Sequence, residues 1–176
     1  RCQRLRALEG RLPAVVQGKD RPAAADCLDL AELCFVKKHY ATAARLYAEA
    51  LAATPQLTDD LRAGHRFNAA RAAALAGSGH GDDVAGLGKP EPAGLRNQAR
   101  DWLRLDLAAW AQKVNDGTEA DRIHARKTLA PWRDDPDLAG LRDADALEKL
   151  PPAERQECQA LWQEIVALLR RAESTR

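Results

Sequence analysis

The chain has 176 residues, 30% charged and 45% hydrophobic, the balance of a soluble globular protein long enough to bury one sizeable core. Its 27 Lys and Arg against 26 Asp and Glu leave a net charge of +1, so no global field draws it to nucleic acid or to an anionic membrane. Apolar runs fall short of the roughly 18 residues a membrane span needs. Aromatic residues are 5% of the chain and β-branched ones are sparse, while Ala, Leu and Arg dominate, so the expected class is all-α. Opening on Arg1 with no methionine, it reads as a piece of a longer protein, and its cysteines, without a disulfide pattern, fit a reducing, cytoplasmic compartment.

The first segment, 1–17, places Leu5, Leu8, Leu12, Val15 and Val16 at three- and four-residue spacing, one face of a helix weakened by Gly10 and Pro13. Gly18-Lys19-Asp20 ends it. Pro22, at a first-turn position, is expected to open a helix running to Lys38, with Cys27, Leu30, Leu33 and Cys34 inward. After a break at Lys38-His39-Tyr40 a second helix runs from Ala41 to Ala53 and stops at Thr54-Pro55; so short a link makes the pair antiparallel. The next helix is expected over 59–76, with Leu61, Phe67, Ala70, Ala74 and Leu75 inward. Residues 77–94, rich in glycine and holding Pro90 and Pro92, read as a disordered insertion with room for a brief helical turn over 82–87.

A strong helix follows over 95–114, where Leu103, Leu107, Trp110 and Val114 recur on one face. Asn115-Asp116-Gly117 stops it, and Thr118 with Asp121 forms a capping-box pattern for a helix carrying Ile123, Leu129 and Trp132, ended by Pro131. A turn at Asp134–Asp137, a short bridge with Leu138 and Leu141, and a small helix over 143–150 lead to a last helix over 152–171. Its apolar face carries Cys158, Leu161, Trp162, Ile165, Leu168 and Leu169.

Cys27, Leu30, Ala31 and Cys34, then Ala43, Tyr47, Ala50, Leu51 and Pro55, fall at the spacings of a tetratricopeptide (TPR) repeat. Residues 24–57 resemble such a repeat closely. Ala31 stands at the close-approach glycine, Cys27 and Cys34 replace larger residues, and Lys38 occupies the place of a usual turn glycine. A second copy over 59–115 resembles the first through Phe67-Asn68-Ala69-Ala70 and, beyond the inserted loop 77–94, Ala99, Leu103 and Leu107. The helices of 118–172 would form a diverged third pair or a cap. The resemblance implies a single domain over 1–176: antiparallel helix pairs in a short right-handed α-solenoid with a C-terminal capping helix.

Several longer runs also resemble the C-terminal region of planctomycete-type serine/threonine protein kinases. They are Leu12-Pro13-Ala14-Val15 with Gly18-Lys19, the stretch Leu61 to Ala70, Trp102-Leu103-Arg104 with Asp106-Leu107, and Trp132 followed by Asp135 to Ala139. The kinase's own glycine-rich loop, His-Arg-Asp and Asp-Phe-Gly are absent, so any catalytic domain would lie upstream and this piece would not be an enzyme.

Candidate chemistry is sparse. His39, His65, His80 and His124 are scattered, and the cysteines Cys2, Cys27, Cys34 and Cys158 form no Cys-x-x-Cys, so no metal or cofactor is expected. Cys27 and Cys34, two helical turns apart, are too distant for a disulfide and read as packing residues. Asp59-Asp60, Asp82-Asp83 and Asp134-Asp135 read as turn and capping residues, and the tryptophans as core.

What remains is a surface. The repeat resemblance implies a concave groove lined by Leu28, Asp29, Glu32 and Phe35 from one helix and by Phe67, Asn68 and Arg71 from the next. It would hold a protein or peptide partner. Asn68 matches an asparagine that holds a ligand's backbone amide in such repeats, or else it bridges neighbouring helices. Leu28 and Glu32 stand where a carboxylate-clamp lysine would be needed, so a free C-terminus is not the expected ligand. The alternative is a structural or self-associating domain, possible as a homodimer, with no groove in use.

Overall fold

The computed structural model describes residues 2–83 and 91–174, all helix, turn and connecting coil, with no strand among them. Eight α-helices occur in this order: α1 (Cys2–Val16), α2 (Ala24–Val36), α3 (Tyr40–Ala53), α4 (His65–Gly77), α5 (Pro92–Asp116), α6 (Glu119–Leu129), α7 (Ala144–Leu147) and α8 (Pro152–Ser174). None is long and apolar enough to cross a membrane. Two compact units divide at residues 99 and 100, inside α5.

In the first unit α1 packs on α2, α2 on α3, and α3 on α4. Only three residues join α2 to α3, so the two run antiparallel. The contact faces are small. Ala31, Ala43, Ala44, Ala69, Ala70 and Ala73 are fully buried, and alanine lets helix axes approach more closely than leucine would. Leu30, Leu46 and Tyr47 fill the remaining space. α1 runs without interruption through Pro13, and its Arg11 reaches the link to α2: Nε and Nη2 donate to the Asp20 carboxylate, Nη1 to Asp26. That fork holds the Asp20 carboxyl below its ordinary value of 3.8.

Several boundaries differ from expectation. α2 starts at Ala24, two residues beyond Pro22, because Ala23 is extended (φ −64°, ψ 151°). The helix expected over 59–76 starts only at His65. Gly64 sits in the left-handed region (φ 65°), and the preceding residues form a 3₁₀ turn (Pro55–Thr58) followed by turns. Lys38 also has a positive φ of 62°, in the place a glycine would fill without cost. The insertion over 77–94 is narrower than read: α4 extends through Gly77, α5 begins at Pro92, and residues 78–83 are a tight turn rather than a disordered stretch. Most of the brief turn over 82–87 lies outside the described residues. Gly77 is required by packing, since a Cβ there would come 2.6 Å from Arg96 Cγ; Arg96 Nη1 donates to its carbonyl.

In the second unit α6 packs on α8, and the capping box forms as read. Asp121 N–H donates to the Thr118 hydroxyl, and Thr118 N–H donates back to the Asp121 carboxylate. Pro131 ends α6 in a 3₁₀ turn (Ala130–Arg133), and Leu138 and Leu141 are buried from a second one (Pro136–Leu141). The helix expected over 143–150 shortens to α7, and the carbonyls of its last residue Leu147 and of Glu148 and Leu150 beyond it accept from the Arg155 guanidinium. Trp162 Nε1 donates to the Leu141 carbonyl at 2.7 Å. Arg100, with a side chain only 4% exposed, donates to Glu154 and Glu157 of α8. Burial alone would depress its guanidinium pKa, but the Glu154 hydrogen bond and the neighbouring charges leave it raised. All four tryptophans lie in this unit and both tyrosines in the first.

Ala70→Leu tests the close approach of α4. An overpacked leucine at a fully buried alanine is expected to cost about 1–3 kcal/mol. It should lower the urea midpoint with an unchanged slope; a wild-type midpoint would mean that the site has room to spare.

Candidate functional site

A few half-buried side chains of α2 and α4 meet around one guanidinium. Phe35 closes the last turn of α2, and Phe67, Asn68 and Arg71 lie within a turn of one another on α4. Arg71 Cζ stands 5.0 Å from the Phe35 ring centroid and 5.8 Å from that of Phe67. A guanidinium over an aromatic face is attracted by the ring quadrupole, by about 1 kcal/mol per ring where partly desolvated. Arg71 Nη1 also donates to Asn68 Oδ1 at 3.5 Å. These contacts hold the long Arg71 side chain in one orientation, so less rotamer entropy remains to be lost when the guanidinium is engaged.

Tyr47 of α3, 2% exposed, lies within electrostatic reach of this cluster. Burial and then the Glu32 carboxylate push its hydroxyl pKa up, and the Arg71 charge opposes them, so both charges act on the same phenol. Tyr40 supports the stack from the side: its ring meets Phe35 edge-on, with centroids 5.3 Å apart at 61°. Cys34, one residue before Phe35, is fully buried, and burial followed by the nearby Asp83 carboxylate pushes its thiol up to about 12.

The structure therefore brings together Phe35, Phe67, Asn68 and Arg71 from the two helices, while Glu32 is exposed on α2 and acts on Tyr47 through its charge. Leu28 and Asp29 occupy the preceding turns of α2, half-buried, outside the ring stack. Repeat spacing alone did not reveal Tyr40 as its support, nor Tyr47 as the buried phenol its charges act on. Tyr40 read as a turn aromatic and is instead the first residue of α3; Tyr47 read only as a repeat position.

Among the described residues no group of three or more His, Cys, Asp or Glu could hold a metal ion. A hollow of about 390 Å³ on α8, lined by Trp162, Gln163, Val166, Ala167 and Arg170, offers one cation and no acid–base pair. A neighbouring one of about 220 Å³ adds Arg133 and Glu173. The described thiols Cys27, Cys34 and Cys158 are buried and unpaired in disulfides.

No family model, curated protein or solved structure matches this chain.

The raised Cys34 thiol gives a pH dependence. Below its ordinary value of 9.0 the thiol is neutral in both folded and unfolded chains, and its contribution to stability is fully present. Above 9.0 the unfolded chain ionises first, so stability falls as pH rises toward about 12, and the raised Tyr47 hydroxyl acts in the same direction. Urea melts at pH 7, 9 and 10.5 should show this loss for wild type and a shallower one for Cys34→Ala; equal slopes would refute the assignment.

Proposed function

We propose that the α2–α4 face docks a segment of another protein, and that the chain is a non-catalytic, TPR-like interaction module. In its parent it would be the C-terminal scaffold or regulatory region of a cytoplasmic serine/threonine protein kinase. The observation that carries this reading is the Arg71 guanidinium held between Phe35 and Phe67, with Asn68 hydrogen-bonded to it, on a half-buried face. Aromatic and arginine side chains fixed before binding are the residue types that dominate interface energies. The successive packing of α2, α3 and α4 supports a repeat-like solenoid, in which the α2 and α4 faces would line the concave side. Residues 24–57, which carry the closest repeat pattern, supply the α2–α3 pair. The kinase context rests on the sequence resemblance alone.

A second reading, self-association through the same region, is favoured by Val36, which is 75% exposed beside Phe35 at the end of α2. A homodimer burying it would appear in light scattering as a mass that rises with concentration and reverts to the monomer in Val36→Glu.

For docking, partners captured on the wild-type chain are titrated against Asn68→Ala, Arg71→Glu and Phe35→Ala. Each variant should weaken affinity by about tenfold or more, that is by about 1.4 kcal/mol. Variants that keep the wild-type helical signal and bind every captured partner with unchanged affinity would sink the groove.

A further inference from the structure

The turn that follows α4 does more than leave the helix. His39, at the N-cap position of α3, makes no side-chain capping bond. The capping carboxylate comes instead from Asp83, 3% exposed and more than forty residues along the chain. Its two oxygens accept from Ala41 N–H at 3.2 Å and Thr42 N–H at 2.8 Å. The same turn is pinned a second time, where Asp82 N–H donates to the Lys38 carbonyl at 3.0 Å. Gly81 makes the approach possible: with φ at 106°, a Cβ there would lie 2.8 Å from the Lys38 carbonyl oxygen and 2.9 Å from Tyr40 Cδ2. The strap of residues 78–83 therefore lies directly against Tyr40, and Tyr40 in turn meets Phe35 edge-on. Phe35 carries one side of the Arg71 stack.

We propose that this strap is a built-in control on the α2–α4 face: anchored through Asp83 it sets the Tyr40 and Phe35 rings, and when released it lets them and Arg71 move. Asp83 is on this view a positioning residue, acting on the face through the start of α3. The idea rests on the docking reading for its biological meaning, but the coupling itself can be measured on the full chain with no partner present.

The test is Asp83→Asn, which keeps the shape and removes the charge. Two signals are read by NMR: hydrogen exchange at the Ala41 and Thr42 amides, and the resonances of the Phe35 ring and Arg71 Nε–H. The expected result is roughly tenfold faster exchange at the two amides, because the NH2 group of the introduced asparagine would face one of the two N–H donors that the carboxylate now satisfies, together with displaced Phe35 and Arg71 resonances. Faster amide exchange with Phe35 and Arg71 at wild-type positions would overturn the proposal, leaving Asp83 as a helix cap alone. Unchanged exchange would overturn it too. If Asp83→Asn does not fold, Gly81→Ala, whose methyl group forces the strap off Tyr40, is read by the same two signals. Adding His39→Asp, which places a carboxylate at the local N-cap, separates stability from position. It should restore amide protection in the Asp83→Asn background while the Phe35 and Arg71 resonances stay displaced. Displaced resonances in a chain for which no partner responds to Arg71→Glu would retain the coupling and discard the docking role.

Discussion

The first unit depends on how closely α2, α3 and α4 approach one another through alanine. Ala31, Ala43, Ala44, Ala69, Ala70 and Ala73 are buried without exposed surface, and leucine in their place would push the axes apart. The reach of Arg71 follows from that spacing. A guanidinium rooted on α4 lies over the Phe35 ring of α2 only because the helices between and beside them are thin. Small residues so often signal a weak core, yet here they set the register at which polar and aromatic side chains of different helices meet. α4 shows the cost in sequence terms: with apolar alanines around most of its circumference, it presents little amphipathic contrast of its own.

That explains the uneven legibility of the fold. α8 and the later part of α5 were plain, because leucine, isoleucine and tryptophan repeat on one face. The capping box at Thr118 and Asp121 was equally local, needing only four residues to specify. The start of α4 was misplaced because the residues from Asp59 to Gly64 carry helix-compatible side chains, and the left-handed Gly64 overrides them. Periodicity cannot express a single backbone dihedral. The α2–α4 face was partly legible, since repeat spacing pointed to Phe35, Phe67, Asn68 and Arg71 in advance. Its support Tyr40 was not, because a tyrosine beside a ring stack has no sequence signature.

Asp83 marks the far limit of sequence reading. An acidic pair in a glycine-rich stretch reads as a turn, and its hydrogen-bond donors stand 41 and 42 residues earlier. The unusual Lys38 belongs to the same arrangement. Its left-handed backbone turns its carbonyl toward the strap, where it accepts from Asp82. Two conformational exceptions, a lysine at φ 62° and a glycine at φ 106°, thus occupy the two sides of one contact. Each is costly or permissive in isolation, and together they define where the strap can sit.

The separation of aromatic residues between the units has a practical consequence. Tryptophan emission from this protein arises wholly from the second unit, through Trp102, Trp110, Trp132 and Trp162, while Tyr40 and Tyr47 are the chromophores of the first. Excitation at long wavelength selects the indoles and so follows the second unit alone, while the far-ultraviolet helical signal follows both units. The molecule therefore carries its own two-colour record of unfolding. Coincident transitions would mark one cooperative body, and separated ones two, with no label attached to either.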